Sequence, residues 1–195
     1  MQSKIGVFGS SSGDIDSIRS KAHAIGEALG KAKAIVISGA CDGLPYEASV
    51  AAKEQGATLW GYSQGADFSM QQERVPDIDS NIFDKLFYIP QDYEFKDNTK
   101  ACQKYRNVTS TATSDGGIII SGRWGTMNEF TNLHDMGKVI GVLTGTEGIA
   151  DALPELMKKI SKKSGAVVIF ESDPKKLVQH VMEEIKKRKS FKVEL

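Results

Sequence analysis

The residues best suited to chemistry lie between positions 115 and 129, in the stretch DGGIIISGRWGTMNE. Residues 118–120 are β-branched and apolar, which is typical of a strand buried on both faces. The strand is predicted to end at a turn containing Gly122, and Thr126 to cap a helix whose first turn carries Glu129. The free N–H groups of such a turn and the positive end of the helix dipole can hold a phosphate, with Glu129 beside it.

Two further glycine-rich turns follow predicted strands, one after residues 4–9 and one after residues 34–38. In a parallel sheet covered by helices, ligands bind beyond the carboxyl ends of the strands, where the strand order reverses. We therefore expect all three turns to meet at one crevice and to form a phosphate or nucleotide site. The binding residues predicted in the first two turns are Gly9, Ser10, Ser11, Gly39 and Gly43.

The elements that must position these turns alternate along the chain. The predicted strands are 4–9, 34–38, 58–61, 85–89, 118–120, 139–143 and 167–170, and the predicted helices are 16–29 (or from 14), 44–55, 98–113, one from 126, 149–162 and 174–189. Continuous apolar strands that alternate with helices predict an α/β fold, doubly wound, with a mostly parallel sheet and helices on both faces. Residues 62–81 show no period and are predicted to form a long functional loop.

Composition indicates an ordinary globular protein. The 195 residues are 40% hydrophobic and 26% charged with a formal net charge of zero, so we predict a single domain over residues 1–195. The neutral balance gives no bias towards nucleic acid or an anionic membrane, and we expect neither as a partner. Cys41 and Cys102 have no metal-ligand spacing and are predicted to be free thiols in the cytoplasm, with no metal site.

Several segments resemble one protein family. SGRWGTMNE is similar to the PGGxGTxxE signature of the LOG family, the cytokinin riboside 5′-monophosphate phosphoribohydrolases that are often labelled lysine decarboxylase-like. In that family an arginine precedes the aspartate that opens the motif strand by nine positions, as Arg106 precedes Asp115 here. The segments GVFGSSSG, SGACDGLPYEAS and VVIFESDPKKL also resemble the family, so the resemblance runs from about residue 4 to about residue 189.

The resemblance implies a Rossmann-like fold and cleavage of a nucleoside 5′-monophosphate, AMP or N6-substituted AMP, to free base and ribose 5-phosphate. It makes Arg106 and Glu129 the catalytic pair, and Gly122, Gly125 and Thr126 the holders of the 5′-phosphate. No lysine stands in a recognisable pyridoxal phosphate context, so we expect no cofactor. The family pairs its subunits through helices next to the active site, which implies a homodimer or a higher homo-oligomer.

Elementary chemistry agrees with these roles. Cleavage of an N-glycosidic bond passes through an oxocarbenium-like sugar, so a carboxylate such as Glu129 can stabilise positive charge and orient or deprotonate water. A guanidinium such as Arg106 can hold that carboxylate and bind ribose or phosphate oxygens in a two-pronged geometry.

Each of these residues and turns could also have a purely structural role. Glycine turns connect strands to helices in any doubly wound domain, and a first-turn glutamate such as Glu129 favours the helix dipole without catalysis. Arg106 could form a helix-surface salt bridge. Cys41 lies in a turn expected to face the ligand, but no partner base for a reactive thiol is evident.

Four departures from the family motif leave two functions open. Ser121 stands for proline, Arg123 for the second glycine, Asn128 for an acidic residue, and Asn107 for a lysine after Arg106. Arg123 either alters the phosphate seat, if positive φ is needed there, or adds a cation to it. The altered glycine favours a binding protein that holds a nucleotide or phosphorylated ligand without turnover, like the related molybdenum cofactor carriers. The retained Arg106 and Glu129 favour the enzyme.

The aromatic residue beside this turn has two possible roles. Trp124 either stacks on a base or packs against a neighbouring subunit.

Overall fold

The computed structural model describes residues 2–11, 15–160 and 162–193, with side chains described up to residue 190. Strands and helices alternate throughout. The strands are β1 Lys4–Gly9, β2 Ile35–Ser38, β3 Thr58–Tyr62, β4 Lys85–Phe87, β5 Gly116–Ile120, β6 Val139–Leu143 and β7 Val167–Glu171. The helices are α1 Asp16–Lys31, α2 Leu44–Glu54, α3 Phe68–Arg74, α4 Thr99–Thr113, α5 Trp124–Asp135, α6 Gly148–Lys159 and α7 Pro174–Val193.

The seven strands form one parallel sheet in the order β4-β3-β2-β1-β5-β6-β7. The chain begins at the centre, builds one half of the sheet with β2 to β4, and then crosses to the other side of β1 with β5. The order therefore reverses between β1 and β5, and the carboxyl ends of these two strands are where an open α/β sheet binds its ligand. The predicted doubly wound, Rossmann-like α/β fold is confirmed.

The isoleucine run of β5 fills the core on both faces of the sheet. Ile118 and Ile120 lie in the core formed with α1, α2 and α7, whereas Ile119 lies in the core formed with α5 and α6. All three side chains are fully buried. Since successive side chains of a strand point to opposite faces, a strand between two cores is apolar at every position.

The first and last helices begin near the predicted residues. Asp173 accepts hydrogen bonds from two N–H groups of the first turn of α7 at 2.9 Å, and Pro174 is the first helical residue. Helix α1 begins at Asp16, and the alternative start at Asp14 lies outside the described residues. None of the helices in the described ranges is long and apolar enough to cross a membrane.

The prediction of a loop over residues 62–81 was wrong. This segment contains α3 and a single 3₁₀ turn, Ser80–Ile82. Helix α3 has no apolar face that a sequence pattern can show, because Gln71 is its one buried residue. Its start is fixed by Asp67, whose carboxylate accepts from the Met70 N–H at 2.8 Å.

Gln71 joins α3 to the turn after β2. Its amide nitrogen donates to the Ala40 carbonyl at 2.7 Å, and its amide oxygen accepts from the Ser63 hydroxyl at 2.7 Å. The side chain is fully buried. A polar contact, not an apolar stripe, therefore holds this helix against the sheet.

Replacing Gln71 with methionine is expected to loosen α3. The change leaves the buried Ala40 carbonyl without its donor and leaves the Ser63 hydroxyl with the Gly65 carbonyl as its acceptor, at a cost of about 1–3 kcal/mol in the free energy of unfolding. We expect a lower thermal midpoint by circular dichroism and faster limited proteolysis between residues 63 and 75. Gln72→Met, at the exposed neighbouring position, is the matched control. Equal stability of the two variants would contradict this role of Gln71.

Candidate functional site

A cleft of about 470 Å³ opens at the carboxyl ends of β1, β2 and β5. It brings together residues from all three glycine turns and from α4 and α5. Of the predicted site residues, its wall contains Gly9, Ser10, Ser11, Gly39, Arg106, Arg123, Gly125, Thr126 and Glu129. Gly43 and Gly122 are not part of this wall.

Gly122 shapes the turn after β5. Its φ is +102°, and a Cβ there would lie 2.4 Å from the Cβ of Thr126, so the position requires glycine. Its N–H donates to the Ser10 hydroxyl at 3.1 Å, and its carbonyl accepts from the Ile149 N–H at 2.8 Å. Because this N–H already has an acceptor, Gly122 orders the turn and does not offer the donor to a ligand.

Gly43 lies where the first two turns meet. The N–H of the next residue, Leu44, donates to the Ser10 carbonyl at 2.9 Å. A Cβ at Gly43 would lie 2.4 Å from the same Ser10 oxygen, so glycine here lets the turn after β2 approach the turn after β1.

Thr126 does not cap α5, and this prediction was wrong. The helix begins at Trp124, with Arg123 at the N-cap and no side-chain cap bond. Thr126 is therefore in the first helical turn and Glu129 in the second, not the first. The chain turns before the helix starts, at two successive residues with positive φ, Ser121 (+54°) and Gly122 (+102°).

The backbone explains two departures from the family motif. Arg123 is extended, with φ −127°, so a side chain at this position causes no backbone strain. Ser121 has φ +54°, which proline cannot adopt because its ring holds φ near about −65°. The turn of this chain therefore has a conformation that the motif's proline would not allow.

The start of α5 presents free donors at the cleft. The N–H groups of Trp124, Gly125 and Thr126 donate to no acceptor among the described residues, and the first bond at this end runs from the Met127 N–H to the Arg123 carbonyl at 2.8 Å. Gly125 and Thr126 both line the cleft. Such unpaired N–H groups and the positive helix dipole favour an anion.

Glu129 is buried in the cleft wall, with 7% of its surface exposed. Burial raises the pKa of its carboxyl from 4.5 to about 7, because a carboxylate loses hydration there, while the charges of Arg106 and Lys104 act in the opposite direction. The group is therefore poised to exchange a proton near neutral pH.

Asn107 contacts Glu129 directly. In the amide orientation that its neighbours favour, its nitrogen donates to Glu129 Oε1 at 3.2 Å and to the Gln103 carbonyl at 2.9 Å. The Asn107 side chain is buried. A neutral amide thus occupies the position where the family commonly has lysine, and it fixes the carboxyl without adding charge.

Arg106 is not a helix-surface residue. It is 9% exposed, and its Nη1 donates to the Gly39 carbonyl at 2.8 Å. A Cβ at Gly39 would lie 2.9 Å from the guanidinium carbon, so glycine makes room for this side chain. Its Nε is buried without an acceptor in the described part of the chain, and no ion pair joins it to Glu129 there. A buried cation with an unused donor favours an electron-rich ligand.

Cys41 stands half-buried in the cleft wall beside Arg106. Burial raises the pKa of its thiol, and the nearby charge of Arg106 opposes the shift. The thiol is therefore protonated at neutral pH and suits contact better than nucleophilic attack. Within the described ranges, no group of three or more His, Cys, Asp or Glu residues could hold a metal ion.

Several wall residues escaped prediction. Gln64 and Arg74 come from the segment before and within α3, and Gln103, Lys104 and Asn107 come from α4. Gln103 had a readable signal, since it precedes Arg106 by three positions and residues three apart share one side of a helix. Gln64 and Arg74 had no such signal, because residues 62–81 show no helical or strand period.

Solved structures with the same fold cover nearly the whole chain. The X-ray structure of the structural genomics target TM1055 has a TM-score of 0.76 and 18% identity over 93% of this chain and 99% of that chain. The molybdenum cofactor binding protein of Rippkaea orientalis gives 0.73 and 18% over 95% and 98%. The molybdenum cofactor carrier protein of Chlamydomonas reinhardtii gives 0.66 and 19% over 94% and 98%. Identities this low show the fold alone.

The fold also occurs in a protein that binds nucleic acid. DNA processing protein A of Helicobacter pylori, described with a single-stranded DNA binding mode, has a TM-score of 0.60 and 17% identity over 93% of this chain and 81% of that chain. The fold therefore lends no support to the expectation that nucleic acid is not a partner.

Sequence comparison identifies the family. No curated protein matches the chain. The sequence model of the SLOG cluster4 family matches residues 2–178, which include every residue of the cleft described above. This match confirms the relationship that the glycine motif indicated, and the chain belongs to the SLOG cluster4 family.

Proposed function

We propose that the protein binds a nucleoside 5′-monophosphate, AMP or N6-substituted AMP, and hydrolyses its N-glycosidic bond to free base and ribose 5-phosphate. The observation that carries this proposal is the position of Glu129, buried beside Arg106 in the same cleft as the open start of α5. A phosphate needs donors and positive potential, and cleavage of the bond needs a carboxylate. The cleft offers both.

The 5′-phosphate is assigned to the start of α5. The N–H groups of Gly125 and Thr126 point free donors at the cleft, and the helix dipole adds positive potential. Arg123, at the N-cap, brings a guanidinium to the same place. On the other side of the cleft, Ser10 and Ser11 complete the seat.

The bond is broken next to Glu129. As a carboxylate it stabilises the positive charge that develops on the sugar and accepts a proton from the attacking water. The water oxygen bonds to C1′, the C1′–N bond breaks, and its electron pair leaves with the base, which takes up the proton that Glu129 accepted and so restores the carboxylate. Arg106 orients the ribose through its guanidinium at the cleft wall, and Asn107 holds the Glu129 carboxyl.

A carrier without turnover is the second candidate. Arg123 in place of the motif glycine supports it, as do the folds shared with the molybdenum cofactor binding protein of Rippkaea orientalis and the carrier of Chlamydomonas reinhardtii. The extended backbone at Arg123 weakens this support, because the arginine fits the turn without strain. A carrier would bind a nucleotide or phosphorylated ligand in this cleft and leave it intact.

Glu129→Gln is expected to abolish release of adenine from AMP. The amide keeps the shape of the carboxyl but can neither carry the negative charge nor accept the proton, so the rate falls at least about 100-fold. Free adenine and ribose 5-phosphate, quantified by chromatography after incubation with AMP, are the measurement. Glu54→Gln, at an exposed position on α2, is the matched control and should keep the full rate.

Two results would overturn the hydrolase. One is release at the wild-type rate by Glu129→Gln. The other is no release of base from a panel of nucleoside monophosphates by the wild type, together with measurable binding of one of them, which would promote the carrier.

The pH dependence of the reaction should report the raised pKa of Glu129. Because the carboxylate is the working form, kcat/KM is expected to rise with pH through about 7 and to level off above it. A glutamate with the ordinary pKa of 4.5 would place this rise in kcat/KM more than two pH units lower. Ribose 5-phosphate affinity over the same range corrects for titration of the substrate phosphate, whose pKa is about 6. A rate already maximal at pH 5.5 would contradict the assignment.

The chain is further proposed to form a homodimer or a higher assembly through the helices beside the cleft. Trp124, the first residue of α5, is 83% exposed, and Val108 on the adjoining α4 is 44% exposed. Large apolar side chains this exposed on two adjoining helices favour contact with another protein surface.

Trp124→Arg is expected to convert the assembly to monomers, because a desolvated guanidinium opposes the contact. Light scattering at micromolar concentration is the measurement, and Ile160→Arg, at another exposed apolar residue, is the control that should stay assembled. A monomeric wild-type protein would rule the proposal out.

Location and other partners stay predictions. Cys41 and Cys102 are both free thiols, which suits the reducing cytoplasm.

A further inference from the structure

A set of side-chain amides lines the end of the cleft away from the α5 start. Gln103 of α4 and Gln64, which follows β3, both belong to the wall. In the sheet, β3 lies three strands from β5, with β2 and β1 between them, so Gln64 after β3 and the Gln103 amide bonded to it lie at the end of the cleft opposite the α5 start. Arg106, which bonds to Gly39 at the end of β2, lies between the two ends.

The orientation of the Gln103 amide is set by a chain of hydrogen bonds. Gln64 Nε2 donates to the Arg74 carbonyl at 3.4 Å, which turns Gln64 Oε1 towards α4. Gln103 Nε2 then donates to Gln64 Oε1 at 2.9 Å. Gln64 is buried, and its main-chain carbonyl accepts from the Arg74 guanidinium, so the residue is held at its backbone as well as at its side-chain amide. A reversed Gln103 amide would set two acceptors against each other.

Gln103 keeps one donor and one acceptor for a ligand. A side-chain amide has two N–H donors and a carbonyl acceptor, and the bond to Gln64 uses one N–H. Its Oε1 accepts no hydrogen bond within the described part of the chain. This donor and this acceptor belong to a half-buried side chain of the cleft wall.

We propose that Gln103 selects the base of the bound nucleotide and favours a purine with an amino group beside a ring nitrogen, as in adenine, over its 6-oxo counterpart. The inference rests on the proposed function for the placement of the nucleotide. With the phosphate at the α5 start and C1′ at Glu129, the base lies towards Gln103. Gln64 acts as a positioning residue that holds the Gln103 amide in one orientation.

The chemistry of recognition follows from the fixed amide. Its oxygen accepts from the amino N–H of adenine, and its N–H donates to the neighbouring ring nitrogen. Hypoxanthine presents a carbonyl oxygen in place of the amino group, which meets the amide oxygen as acceptor against acceptor. A substituted N6 keeps one N–H, so the same pairing serves N6-substituted AMP.

The test compares AMP, IMP and ribose 5-phosphate by calorimetric titration on the wild type, Gln103→Met and Gln72→Met. Methionine keeps the length of glutamine and removes both hydrogen-bonding groups. Gln72, exposed on α3, receives the same substitution outside the cleft. Each of these proteins also carries Glu129→Gln, so that the ligand is not consumed during titration.

We expect the wild-type cleft to bind AMP about tenfold or more tightly than IMP, because one hydrogen-bonded donor and acceptor pair discriminates between bases by about this factor. Gln103→Met should bring this ratio close to one and leave ribose 5-phosphate affinity unchanged, because that ligand has no base. Gln72→Met should keep the ratio. A ratio of one in the wild type, a ratio that survives Gln103→Met, or no binding of AMP would each overturn the inference.

Gln64→Met tests the positioning separately. Without Gln64 Oε1 the Gln103 amide can rotate and pair with either base, so IMP should gain affinity relative to AMP while Gln103 is still present. An unchanged ratio in a folded Gln64→Met protein would contradict the role of Gln64.

The proposed hydrolase activity and the proposed base selection are tested by different experiments. If AMP binds with a preference that depends on Gln103 but no adenine is released by the protein with Glu129 intact, the hydrolase is wrong and the inference stands. If adenine is released but the preference is absent, the inference is wrong and the hydrolase stands.

Discussion

The central constraint of this structure is the burial of two groups of opposite charge, Arg106 and Glu129, in one cleft without an ion pair between them in the described residues. A buried guanidinium is costly unless acceptors surround it, and Arg106 has the Gly39 carbonyl for one donor and nothing in the described part of the chain for its Nε. A buried carboxyl avoids the same cost by holding its proton, and the pKa of Glu129 is raised to about 7. Both groups are thereby left ready for a ligand that brings oxygen acceptors and a developing positive charge.

The fold provides the setting for these two residues. The reversal of strand order between β1 and β5 opens the cleft, and the start of α5 turns its free N–H groups into it. Arg106 comes from α4 and meets Gly39 at the end of β2, across 67 positions of sequence. The turns after β1 and β5 are joined by the hydrogen bond from the Gly122 N–H to the Ser10 hydroxyl. The site therefore depends on the whole doubly wound arrangement and not on one motif.

The sheet and most helices could be predicted because the physics behind them is local. The run Ile118–Ile120 is apolar at every position because it separates two cores, and Asp173 before Pro174 signals a helix start. Helix α3 could not be predicted, since its anchor is one buried glutamine, Gln71, with partners distant in sequence.

Parts of the site also depend on contacts or backbone angles that no local sequence pattern signals. Thr126 is a favourable cap residue, but two positive φ angles begin the helix at Trp124, and no local pattern signals those angles. Arg106 and Glu129 followed from the resemblance to the LOG family, and the structure brings them to one cleft. The pairing of Gln103 with Gln64 spans 39 positions and became visible only when the chain was folded.

The enzyme and the carrier use the same cleft and differ in what lies next to Glu129. A crystal structure of Glu129→Gln with AMP tests this most directly. We expect the phosphate on the N–H groups of Gly125 and Thr126, C1′ beside residue 129, and intact adenine towards Gln103. A phosphate bound elsewhere in the cleft, with C1′ out of reach of residue 129, would contradict it.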